Sequence, residues 1–207
     1  MFVVGHIALG YIIGKITSKA TGQSPIISAI WALSLLPDID FLIPGLRHRG
    51  PTHSLVIVLL IFIPLLILRF RETVPYFAAL ATHLTIGDYI TDGGVQLFWP
   101  LSSKWVNLKS SLRLGSVVET YIELALFGAL ILTLILSKDL NRLFNLDRRN
   151  NLLFLPLFTI VLPLRLKYPV NIPKMLIVPH ILLLSLITLS CSITLMQTLI
   201  SIYKGRH

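Results

Sequence analysis

The amino-acid sequence predicts an all-α fold, a polytopic membrane bundle of about six to seven apolar helices, some of them short or re-entrant. Three observations carry that expectation. Hydrophobic residues fill 55% of the 207 positions and charged residues only 13%, with a mean hydropathy of +0.82, a balance that a soluble domain would struggle to keep in water. The apolar residues gather into runs, several of which approach the ~20 residues that cross ~30 Å of hydrocarbon. Stretches such as Ala125 to Leu136 are continuous in Leu and Ile and lack the alternation of a barrel strand, so each segment must satisfy its own backbone.

The elements follow in order. Phe2 to Ile16 is a short run with no basic flank before it and no small-residue cleavage pattern after it, and it holds His6, so it reads as part of the mature fold and not as a signal peptide. Pro25 to Ile43 closes on Leu36-Pro37-Asp38-Ile39-Asp40. Leu55 to Leu68 follows a Gly50-Pro51 break, with Thr52 in place to cap it. Val74 to Phe98 carries His83, Asp88 and Asp92, and Val117 to Leu136 carries Glu119 and Glu123 one helical turn apart, hence on one face. Leu152 to Leu164 is interrupted by Pro156 and Pro163, with Pro169, Pro173 and Pro179 beyond it, so it reads as re-entrant or interfacial. Met175 to Tyr203 is the last run. Residues 1–124 read as the working region and residues 125–207 as hydrophobic helices that complete the bundle.

Charge and cysteine content exclude some functions. The net charge of +9 comes from Lys and Arg lying almost entirely between the apolar runs, where they meet anionic headgroups. They form no basic stripe interleaved with aromatics, so no nucleic-acid partner is expected, and the lipid bilayer of a cell membrane is. Trp31, Trp99 and Trp105 read as interfacial anchors. The single cysteine, Cys191, excludes a disulfide within the chain and argues against thiolate metal ligation.

The chemistry lies in four polar groupings: His6; Asp38 and Asp40; His48 and His53; and His83, Asp88 and Asp92. Ionisable groups near membrane depth persist mainly where they pair, coordinate ions or line water. If the first four runs each cross the bilayer, alternation of direction brings all four groupings to one face, with His83 about 7–8 Å deeper than Asp88 at ~1.5 Å per residue. Imidazole with carboxylate suits a divalent metal, zinc first and manganese or iron next, and a set this large has room for two or more ions. The expected ligands are His6, Asp38, His48, His53, His83, Asp88 and Asp92, with Glu119 and Glu123 as possible additions. Asp40 is the expected general base, or else the carboxylate that orients a histidine, and Arg49 is placed for a substrate phosphate or a carboxylate. The reading is a metal-dependent hydrolase of a phosphoester or phospholipid. Two other classes compete with it: a transporter or proton/cation-conducting protein using the same cluster, and a membrane scaffold with a structural metal.

Leu36-Pro37-Asp38-Ile39-Asp40, then His48-Arg49-Gly50-Pro51-Thr52-His53-Ser54, then His83 through Trp99-Pro100, resemble the YdjM/YbcI-type family of inner-membrane metal-dependent hydrolases, over residues 1–105. The resemblance implies a helical membrane enzyme with ligands at His6, Asp38, His48 or His53, His83 and Asp88. It also implies a distant likeness to zinc-dependent phospholipase C and single-strand nucleases. In one respect the sequence departs from the family pattern: Asp88 stands five residues after His83 where four is usual, which rotates it by ~100° on an α-helix. Either a π-bulge at Gly87 absorbs the extra residue, or Asp88 sits outside the ligand shell and Asp92 takes its place.

Overall fold

A computed structural model describes residues 1–109, 112–144, 148–165 and 172–204; Pro169 and the tail residue His207 lie outside them. The first helix, α1, runs over Val3–Thr21 and stops where Gly22 turns left-handed at φ 72° and returns its N–H to the Lys19 carbonyl. It packs chiefly on α4 (Phe70–Thr82), with α2 (Ile27–Leu35) and α5 (Val117–Leu136) beside it. Gly10 makes the α1–α2 approach possible, since a Cβ there would lie 2.1 Å from Ser34 Oγ. Val4, Ile7, Tyr11, Ile30, Trp31 and Leu35 form the centre of the resulting core. Trp31 is therefore fully buried, against its expected place at the interface.

Pro37 ends the second apolar run as a helix, because it lacks an N–H to continue the ladder, and a 3-10 turn over Leu36–Leu42 takes over. After a second short 3-10 turn, Pro51–His53, comes α3 (Leu55–Leu68). Its cap is Ser54, whose Oγ accepts the Ile57 N–H at 3.2 Å; Thr52, the expected cap, turns its hydroxyl to Asp40 instead. The outer side of α3 exposes Leu60, Ile61, Ile67 and Leu68. Helix α4 runs on into a π-helical segment, His83–Asp88, and between there and α5 the described chain is turns with isolated bridges at Thr91–Leu112 and Val95–Val106. Val74 to Phe98 is thus not one helix. Ser116 caps α5, and α6 (Asp139–Phe144), α7 (Phe154–Arg165) and α8 (Lys174–Lys204) follow. At the far end of α1 and α5, Asp139 is buried against Lys15 Nζ at 2.7 Å and the Tyr11 hydroxyl at 2.9 Å.

The expectation of six to seven apolar membrane helices needs correction: among the described residues only two helices, α5 and α8, are long and apolar enough to cross a bilayer. The shortfall has local causes. Pro37 limits α2 to 9 residues, and Arg69, at φ −142° and ψ 57°, separates the 14 residues of α3 from α4. At ~1.5 Å per residue α3 covers ~21 Å, short of the ~30 Å hydrocarbon core.

Candidate metal centre

Local backbone choices bring the polar groupings together. In the 3-10 turn, successive side chains rotate by about 120°. Asp38 and Asp40 therefore leave it in different directions. Asp38 points to His53 and His83, and Asp40 to His48, His53 and the Arg49 backbone. The π-helical segment resolves the five-residue spacing between His83 and Asp88. With its i→i+5 bonding, seen in Tyr89 N–H to the Leu84 carbonyl at 3.2 Å, residues five apart share a face. His83 Nε2 and Asp88 Oδ2 stand 3.3 Å apart.

Asp38, His53, His83 and Asp88 are all buried, and each presents one ligand atom within 4.8 Å of the other three. Around the two ring nitrogens the spacing is close to uniform. His53 Nε2 lies 3.3 Å from His83 Nε2, 3.4 Å from Asp38 Oδ1 and 3.1 Å from Asp88 Oδ2, while His83 Nε2 lies 3.5 Å from Asp38 Oδ1. A tetrahedral ion with bonds of ~2.0–2.1 Å sets its ligand atoms about 3.3–3.4 Å apart. Asp88 Oδ2 is buried and accepts no hydrogen bond even though two ring nitrogens lie 3.1 and 3.3 Å away. Such atoms face a shared centre and not one another. A divalent ion fits these residues.

The surrounding groups fix which ring nitrogen faces the centre. His83 Nδ1–H donates to the Ser34 carbonyl at 2.6 Å, which leaves Nε2 inward. His53 Nδ1 lies 3.3 Å from Asp40 Oδ2 and 3.0 Å from the Thr52 hydroxyl, which does the same for its Nε2. Burial alone would lower the His53 pKa, but the carboxylates of Asp38, Asp40 and Asp88 around its ring hold it well above its usual value. The pocket thus draws positive charge into itself. Burial would likewise raise the Asp40 carboxyl, yet its histidine partners His48 and His53 keep it below the ordinary carboxylate value.

Asp40 is fully engaged: besides the two histidines it accepts the Arg49 N–H at 3.1 Å and the Thr52 hydroxyl at 3.0 Å. Its Oδ2, with three donors around it, is placed as the orienter of His53, while Oδ1 meets His48. Arg49 sits at φ 64°, is only 8% exposed, and puts its guanidinium 3.0 Å from Asp88 Oδ1 and on Thr91 Oγ1 and the Asp92 carbonyl. Of its two expected partners, phosphate or carboxylate, it has the carboxylate. His48 joins a second group with Asp40 and His53, its Nδ1 3.2 Å from Asp40 Oδ1 and its ring stacked on Phe41. His6 stacks on His83 with centroids 3.8 Å apart and places Nε2 3.5 Å from Asp88 Oδ1.

Three expected ligands stand apart. Asp92 Oδ1 accepts the Leu114 N–H at 2.9 Å, which ties the loop before α5. Glu123 accepts the backbone N–H groups of Phe2 and Gly5, and Glu119 that of Gly115 at 3.1 Å. These carboxylates hold helix ends and loops. The Ser34 carbonyl and Thr91 hydroxyl, which hold His83 and Arg49, escaped the sequence reading: a backbone acceptor leaves no trace in residue type, and Thr91 has no distinguishing neighbour.

Residues 1–198 match the family model described as YdjM inner membrane protein. Neither the curated proteins nor the solved structures give a match.

Proposed function

The chain belongs to the YdjM inner membrane protein family, and from that premise we propose that it is a membrane-bound, metal-dependent hydrolase of phosphoesters, built on one divalent ion held by Asp38, His53, His83 and Asp88. The observation that carries the reading is the convergence of these four buried ligand atoms within 4.8 Å of one another, with the two ring nitrogens 3.1–3.5 Å from each other and from both carboxylates. Two nitrogens and two oxygens suit zinc best, with manganese or iron next. Such an ion supplies Lewis acidity toward a phosphoryl oxygen and toward water.

The chain's own residues do the rest. Arg49 holds Asp88 through Oδ1, so that Oδ2 stays inward. Asp40 and the Ser34 carbonyl set the two imidazole tautomers. His48 lines the cleft outside the ligands, held by Asp40 and by Phe41. A second ion on Asp40, His48 and His53 would need both nitrogens of His53, and Nδ1 already faces Asp40 and Thr52. One ion is therefore the proposed stoichiometry.

Elemental analysis of purified protein, paired with hydrolysis of bis(p-nitrophenyl) phosphate, tests the reading. Wild type is expected to carry about one zinc, manganese or iron per chain and to turn over the diester, and His53→Ala and Asp88→Asn to lose both. Undiminished metal in the two variants, or metal-replete wild type with no phosphoesterase activity, sinks it.

A further inference from the structure

Beside the four ligands opens a cleft of about 640 Å³, within the range of small-molecule sites. Its two sides differ in chemistry. One is polar and belongs to the metal centre, with His6, Asp38, His48 and Arg49. The other is largely apolar, formed by Ile160 of α7 and by Ile177, His180, Ile181 and Leu184 of α8. The α8 residues stand at i, i+3, i+4 and i+7, so they make one stripe about 10 Å long. Nothing in the cleavage of a small water-soluble ester needs such a stripe, and leaving it wet forgoes ~25 cal/mol for each Å².

The stripe also reaches the outside. Ile177 is 44% exposed and Ile181 57%, and their neighbour Val178 is 62% exposed, on a helix long and apolar enough to cross a bilayer. The cleft wall therefore continues into surface that faces hydrocarbon. Its depth is set by the helices that begin there. Leu114 and Gly115, just before α5, and Ile177, in the first turn of α8, all line it, so it lies at the common N-terminal end of both candidate spans. That is headgroup depth, and the positive ends of both helices favour a negatively charged group there.

We propose that the cleft takes a membrane phospholipid laterally from the bilayer, with the phosphate ester at the metal centre and a hydrocarbon chain along the α7–α8 wall. The word ester rests on the hydrolase reading; the lipid rests on the cleft. The two can fail separately. Protein reconstituted in phosphatidylethanolamine vesicles with a trace of phosphatidylglycerol carrying a diazirine in mid-chain is irradiated, digested and mapped by mass spectrometry. Saturable label is expected at Ile160 and along Ile177, Ile181 and Leu184, competed by unlabelled phosphatidylglycerol and not by soluble glycerol phosphate. Leu184→Asp should lower the Ile160 label at least about fivefold while the label at exposed Leu195 and Leu199, and the metal content, stay as in wild type. Should Leu184→Asp misfold, the competition in wild type decides alone. Label at Ile160 that does not saturate, or that glycerol phosphate competes as well as the lipid does, overturns the proposal. Saturable label on a metal-replete protein that cleaves no diester overturns the hydrolase reading and upholds lipid binding.

Discussion

Asp38 and Asp40 differ by two positions and end in different roles because a 3-10 turn carries them. Residue types alone made the cluster visible, since so many ionisable groups beside apolar runs demand a common cause. They could not divide the work, which depends on which way each side chain leaves the backbone. Asp40, expected as a base or as the carboxylate that orients a histidine, stands 3.3 Å from His53 Nδ1, and Arg49 braces Asp88. Asp40→Asn should therefore keep the fold and weaken metal affinity by about 10–100-fold, measured by competition with a chelator of known affinity. An unchanged affinity would mean that Asp40 does not set the ring. The proton on His53 gives a second test. In the metal-free chain its pKa is held well above the ordinary value, so at neutral pH an ion must displace a proton from the ring. Affinity should rise with pH up to that pKa and fall below it. Adding zinc in weak buffer at pH 7 should release at least about one proton per ion bound, read with an indicator dye.

At the scale of elements, the π-helical segment is the clearest case of a sequence anomaly with a structural cause. The extra residue between His83 and Asp88 predicted either a bulge near Gly87 or a displaced ligand, and the structure contains the bulge, over His83–Asp88. Gly87 has a second task there. A Cβ on it would lie 2.3 Å from His6 Cε1. Gly87→Ala should thus push the His6 ring off His83, weaken metal binding by about tenfold or more, and lower the thermal midpoint in detergent. A variant that binds metal like wild type would show that His6 is dispensable to the centre. Helix lengths were less legible. Hydropathy marks where apolar residues gather, but Pro37 and the backbone of Arg69 decide how much of each run is one helix.

At the scale of the whole molecule, His6, Asp38, Asp40, His48, His53, His83 and Asp88 do come together, although none of the first four runs forms a helix long and apolar enough for the crossings from which their convergence was expected. Short turns, and not four full crossings, bring the ligands together. The two candidate spans both begin at the cleft and run away from it. In a Cys191→Ser background, cysteines placed at Arg113 and Lys174 should react with a membrane-impermeant maleimide from one side of sealed vesicles, and one at Lys138 from the other. Labelling of the Arg113 and Lys174 positions from opposite sides would refute the shared direction of α5 and α8. The acceptors that Glu123 offers to Phe2 and Gly5 have a consequence for biosynthesis. The first turn of α1 finds these partners only after more than a hundred further residues have been translated. His6 lies on that turn, so the part of α1 that stacks on His83 gains these anchors only once α5 has been made.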